Sequence, residues 1–271
     1  MPTDFILPLK GNNLLRCTRF QASGKAESLI LIAHGYKGFK DWGMFPYAAG
    51  KLSGKHEVVT FNFSHNGIGD NPQQFTELDK FAVNTYEQEQ QDLDALVSFL
   101  RKDPELSGLP LFLIGHSRGA GTSLVYALDH PDLIAGVISW NGVAGLDLFT
   151  PEQKQEMREQ GISYVKNART GQDMPLKRII LDDLERQRER YDIVGRLRAS
   201  SFPVALIQGT NDGKYLQEGS ARIVAARPDI PWIRIEGGNH TFNTVHPFGG
   251  TSTQLEQAIQ ASLDFIDKHL S

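Results

Sequence analysis

Residues Leu111 to Leu124 read LFLIGHSRGAGTSL, and the fold follows from how this stretch changes character. Four apolar residues in succession, Leu111 to Ile114, have the pattern of a strand covered on both faces. The run ends at Gly115, and His116, Ser117, Arg118 and Gly119 complete a G-x-S-x-G pattern before a helix-forming stretch from Arg118 to Asp129. The five-residue pattern is common by chance, and its position gives it meaning. Between a buried strand and a helix, two glycines relieve crowding in a sharp reversal, and the reversal holds a serine oxygen outside the chain. The helix start behind it points backbone N–H groups at any negative charge that develops there.

Outward from this stretch, apolar strand patterns alternate with helical ones. Leu29 to Ala33, Val58 to Phe63, Gly136 to Trp140 and Val204 to Gln208 read as further central strands, with Pro231 to Ile235 as a shorter one. Residues 3–9 and 14–20 read as an antiparallel pair at one edge, turned at KGNN. Helical periodicity covers Asp41 to Leu52, Tyr86 to Arg101, Tyr215 to Ala226 and Thr253 to Leu270. The alternation predicts an α/β fold: a mostly parallel central sheet of about eight strands with helices on both faces. About sixty residues separate the strands at Trp140 and Val204, too many for a simple crossover. Residues 147–202 are therefore expected to form a cap or lid insertion, with a helix, a hairpin over ISYVKNARTGQDMPL and a charged helix. The core comprises residues 1–146 and 203–271.

Composition bounds the function. The chain has 271 residues, 40% of them hydrophobic, and a formal net charge of −4. That balance argues against a duplex nucleic-acid partner, and no apolar run is long enough for a membrane span. A single cysteine, Cys17, allows no intrachain disulfide, and the N-terminus lacks the basic and apolar regions of a signal peptide. A cytoplasmic location is expected. No histidine and carboxylate cluster suggests a metal, and no cofactor is expected. Oligomeric state is not encoded in any pattern.

A serine hydroxyl needs a base. His240, in EGGNHTF after the last strand, is placed to overhang the sheet's carboxyl edge, with His246 as the second candidate. The base needs an orienting carboxylate, for which Asp212, in GTND after the strand at Val204, is the candidate and Asp147 the alternative. Oxyanion donors are expected from the backbone N–H of Arg118 and of Tyr36, in the glycine-bearing loop AHGYKGFKDW. As only backbone is invoked there, side-chain substitutions at both positions are expected to be mild. Phe39, Trp42, Trp140, Tyr164 and Phe242 are the candidate substrate-binding walls.

Taken together, HGYKG, GHSRG, GTND and GGNHTF, in that order, resemble the α/β-hydrolase family, and HGYKGFKDW with NARTGQDMPL is similar to its bacterial cinnamoyl and feruloyl esterase-like members. The resemblance implies a serine hydrolase acting on a small-molecule carboxylic ester through an acyl-enzyme. Peptidase or amidase and thioesterase chemistry on the same three residues, and a non-catalytic binding protein on the same scaffold, remain as alternatives.

Overall fold

A computed structural model of the chain describes residues 2–270. In chain order the strands are β1 (Thr3–Pro8), β2 (Leu14–Phe20), β3 (Leu29–Ala33), β4 (Glu57–Asn62), β5 (Leu111–His116), β6 (Gly136–Trp140), β7 (Ile162–Lys166), β8 (Asp173–Lys177), β9 (Val204–Gly209) and β10 (Trp232–Ile235). The helices are α1 (Phe45–Leu52), α2 (Leu78–Phe81), α3 (Tyr86–Leu100), α4 (Arg118–Asp129), α5 (Pro151–Gln160), α6 (Ile179–Arg186), α7 (Ile193–Leu197), α8 (Lys214–Ala226) and α9 (Thr253–Leu270). Eight strands form one sheet in the order β1-β2-β4-β3-β5-β6-β9-β10. From β4 to β10 all pairs are parallel, while β1 with β2 and β2 with β4 are antiparallel. This is the α/β-hydrolase architecture expected, with its antiparallel edge.

The continuous apolar runs exist because both faces of the central strands are covered. Leu29, Leu31 and Ala33 point into one cluster with Leu93 and Leu96 of α3 and Leu124 and Val125 of α4. The alternate residues Ile30 and Ile32 join Phe45 and Leu52 of α1 and Leu255, Ile259 and Ile266 of α9 on the opposite face. This two-residue alternation is the pleat. Each of these side chains except that of Ala33 contributes roughly 1.5–3 kcal/mol by leaving water. Among the described residues no helix is long and apolar enough to cross a membrane.

The segment between β6 and β9 departs from its expected reading at one place. The helix and the antiparallel hairpin form as α5 and β7–β8, but the charged stretch breaks into α6 and α7. Asp192 accepts from Gly195 N–H at 3.0 Å and so starts a new helix. Met157, Met174, Leu176, Ile180 and Leu181 pack with Phe39, Phe75 and Phe81 in a third apolar cluster over the loops after β3 and β4. From Tyr191 onward the segment belongs to the α3–α4 side of the core, through Ile193, Leu197 and Phe202. Because β3, β5, β6, β9 and β10 run parallel, their carboxyl ends share one edge, and the loops there meet.

Candidate active site

Ser117 lies immediately beyond β5, with φ 54° and ψ −119°. Few side chains tolerate that backbone, and it persists because its surroundings fix it. Ser117 N–H donates to Trp140 O at 3.0 Å, and its carbonyl accepts from Ala120 and Val143 N–H at 3.1 and 3.2 Å. A Cβ on Gly115 would lie 2.3 Å from Ala120 Cα, and one on Gly119 would lie 2.4 Å from His34 O. Neither site has room for any side chain, which is the physical content of the glycines in GHSRG.

The loop after β3 lies directly against this turn: a Cβ on Gly35 would sit 3.0 Å from Ser117 Cβ. His34 Nδ1–H donates to Gly35 O at 2.9 Å, and Gly38 N–H donates to the same carbonyl at 3.0 Å. That carbonyl and the Tyr36 N–H belong to one planar peptide, so fixing the oxygen fixes the donor on the opposite side. Among the described residues neither Tyr36 N–H nor Arg118 N–H has a hydrogen-bond acceptor. Burial lowers the His34 pKa to about 4, so its ring is neutral and its Nε2 accepts from Asn66 Nδ2 at 3.2 Å.

Asp212, in the loop after β9, has a fully buried side chain. His240 Nδ1–H donates to its Oδ1 at 2.8 Å, Gly213 N–H donates to the same oxygen at 2.8 Å, and Gln208 Nε2 donates to Oδ2 at 3.0 Å. Burial alone would raise the Asp212 pKa, but His240, Gln208 and Gly213 hold it below its ordinary value, so the carboxylate is charged. Gln208 is itself oriented by Trp232 Nε1–H at 3.1 Å. The His240 carbonyl accepts from His116 Nε2–H at 2.7 Å and Asn141 Nδ2 at 3.0 Å. Chiefly through burial, the His116 pKa falls to about 3, so that ring stays neutral and donates. Gln208, His116 and Asn141 were not singled out from the sequence, since they act through partners distant in the chain.

Ser117, His240, Gly35, Tyr36 and Trp42 line one cavity of about 300 Å³. Ser117 Oγ makes no hydrogen bond within 3.5 Å to a described residue, so the serine–imidazole contact is not formed in this state. Such contacts often tighten only around substrate. Of the expected walls, Trp42 lines the cavity, while Phe39, Trp140 and Phe242 do not. Phe39 is buried in the cluster beneath the hairpin. Trp140 and Phe242 pack edge to face on the α9 side of the sheet, where Trp140 Nε1–H donates to Ser262 Oγ at 2.9 Å. Tyr164 is 54% exposed on β7 and also lies off the cavity. The wall residues not anticipated include Lys37, Phe45 and Thr241, and Asn167 to Arg169 at the turn of the hairpin.

The alternative residues sit elsewhere. His246 stacks on Trp42, and its Nδ1 accepts from Gly43 N–H at 3.0 Å. Asp147 pairs with Lys154 at 2.8 Å and lines a different cleft. The Arg118 side chain corrects the expectation of a mild position. It is 3% exposed, pairs with Glu89 at 2.9 Å and lies over the Tyr86 ring at 4.1 Å. Burial opposes its charge, yet Glu89 with Tyr86 and Tyr36 together outweigh burial and the Arg118 pKa is raised. The structure also forms a trio not expected from the sequence: Glu27, His56 and Asp267 bring potential ligand atoms within 4.8 Å of one another. Glu27 and His56 precede β3 and β4, at the edge opposite the cavity.

The profile of the family described as serine aminopeptidase, S33, a hydrolase family, matches residues 24–192. Monoglyceride lipase of Mus musculus is 24% identical over 227 residues, spanning 82% of this chain and 68% of its own length. Monoglyceride lipase of Rattus norvegicus is 28% identical over 228 residues, with coverages of 82% and 68%. Among solved structures, Est1E from Butyrivibrio proteoclasticus with ferulic acid bound superposes with a TM-score of 0.73 at 17% identity, covering 98% of this chain and 99% of that one. With the family's profile spanning β3 through α6 and the sheet order of an α/β-hydrolase, the chain belongs to the serine aminopeptidase S33 family of α/β-hydrolases.

Proposed function

We propose that the protein is a serine hydrolase that cleaves a small carboxylic ester, with Ser117 as nucleophile, His240 as base and Asp212 as its orienting carboxylate. The observation that carries this reading is the 2.8 Å His240–Asp212 hydrogen bond beside a serine held at positive φ, both facing one cavity. His240 Nε2 takes the Ser117 proton as Oγ attacks the acyl carbon. Asp212, kept charged, holds the imidazole with Nε2 free and stabilises the imidazolium. The N–H groups of Tyr36 and Arg118 receive the oxyanion, each worth about 3 kcal/mol of barrier. His240 then protonates the leaving alcohol, and a water activated by the same ring hydrolyses the acyl-enzyme. None of these steps calls on a cofactor or a metal ion.

Residues 147–202 are proposed as the cap, its hairpin turn over the cavity mouth and its end from Tyr191 anchored in the core. The ester preference is supported by relatives named monoglyceride lipase and by a neighbour that binds ferulic acid. The family's aminopeptidase description favours amide cleavage as a second reading, which a matched ester and amide pair decides. A fluorophosphonate should label Ser117, and Ser117→Ala should abolish both labelling and turnover of short p-nitrophenyl esters. Retained turnover in that variant would refute the mechanism, and a folded wild type that never labels would point to a binding protein.

A further inference from the structure

Among apolar walls that include Trp42 and Phe45, the cavity carries two cations. Arg169 and Lys37 line it, while no Asp or Glu is among its lining residues. The nearby carboxylates are engaged elsewhere: Asp212 holds His240, and Asp41 pairs with Lys40 at 2.8 Å. Among the described residues neither Arg169 nor Lys37 pairs with a carboxylate. Each has a single side-chain hydrogen bond, to a carbonyl: Arg169 Nη2 donates to Gln73 O at 3.1 Å, and Lys37 Nζ donates to Lys166 O at 2.9 Å. A guanidinium has five donors and an ammonium three, so most are unused.

Asn167 supplies a second, independent observation. It lines the same cavity and is 4% exposed. Its Oδ1 accepts from Arg169 N–H at 3.0 Å, which fixes the amide's orientation, and its Nδ2 is buried without a partner. A buried unmet donor costs stability unless a ligand meets it. Lys37 adds backbone strain, with φ 56° in a non-glycine residue.

Resting on the ester-hydrolase reading, we propose that the substrate carries a carboxylate on its non-reacting part, taken between the Arg169 guanidinium and the Lys37 ammonium with Asn167 Nδ2 donating to it. The ligand class is the half-ester of a short dicarboxylic acid, or an ester whose alcohol bears a carboxylate. A guanidinium offers a carboxylate two parallel N–H donors, which a neutral acyl chain cannot use. Because both cations also tie the hairpin down, a loss of activity alone does not separate recognition from support. The ratio of two substrates does, since damage common to both cancels.

The test compares kcat/KM for p-nitrophenyl hydrogen glutarate with that for p-nitrophenyl pentanoate. A second pair compares butyrate esters of 4-hydroxybenzoate and of 4-methylphenol. Wild type should favour the anionic member of one pair by about tenfold or more. Arg169→Gln, or Lys37→Met if the former fails to fold, should bring that ratio close to one. A neutral preference in both pairs, or an anionic preference untouched by both substitutions, overturns the proposal. A readout independent of turnover uses thermal unfolding: monomethyl glutarate should raise the melting temperature of wild type and not of Arg169→Gln, while dimethyl glutarate raises neither. Where wild type favours the half-ester, the absence of that difference counts against the carboxylate site. A shift present with no ester cleaved refutes the hydrolase reading and keeps the site.

Discussion

Arg118 offers the sharpest test of the packing behind the proposed nucleophile, because its side chain is tied into the core beneath that turn. Its guanidinium lies 2.9 Å from Glu89 Oε1, with both residues 3% exposed. Glu89 also accepts from Asn84 Nδ2 at 2.9 Å and from Thr122 Oγ1 at 2.7 Å. Arg118→Met keeps an unbranched side chain beside Tyr86 and leaves the backbone N–H in place, but strands the carboxylate, buried, without its counter-charge. Breaking a buried pair in this way costs about 3–5 kcal/mol. The two remaining donors to Glu89 place the expectation at the lower end, about 3 kcal/mol. In a chain of this size that corresponds to a melting-temperature drop of roughly 6–12 °C. Adding Glu89→Gln removes the stranded charge while its amide still bonds to Thr122, so the double variant should recover much of the loss. Differential scanning calorimetry of the four proteins in the cycle reads both effects. A drop under about 2 °C in Arg118→Met, or a double variant less stable than the single one, would show that this pair is not the support described.

Two further predictions concern the same edge. In Gly119→Ala the new Cβ would meet His34 O at 2.4 Å and Ala33 O at 2.5 Å, backbone atoms that cannot give way separately. Urea unfolding should show a loss of about 3 kcal/mol or more, whereas Gly145→Ala, with nothing within 4 Å of its Cβ, should be close to neutral; equal effects would refute the steric account. His34 and His116 are buried neutral, with pKa values lowered to about 4 and about 3. Unfolded imidazoles bind protons below about 6.5 and these folded ones do not, so the stability is full above that pH and declines as pH falls toward 4 and 3. At pH 5 the two together should remove about 4 kcal/mol, and urea midpoints unchanged between pH 7.5 and 5 would contradict their burial.

Local chemistry made much of the molecule legible in advance. Continuous apolar runs mark strands covered on both faces, glycines beside Ser117 mark a turn with no room for Cβ, and the serine, aspartate and histidine each follow a strand. Those features depend on residues a few positions apart. What stayed hidden depends on residues far apart in the chain. An aromatic residue in a loop or at a strand's end reads alike whether it walls a cavity, as Trp42 does, or fills the core, as Phe39, Trp140 and Phe242 do. The Arg118 side chain reads as dispensable until α3 brings Glu89 against it.

The sequence alone therefore determined the order of the sheet's strands along the chain, the strained turn and the three residues at the sheet's edge. Periodicity and the steric limits of the backbone are carried by neighbours along the chain. The tertiary structure decided the rest: which donors hold Asp212, which ring pins His240, and that the hairpin turn brings Arg169 to the cavity that Ser117 lines. Burial, pairing and the pKa shifts that follow from them are set by what packs against a side chain, and that is fixed only when distant segments meet.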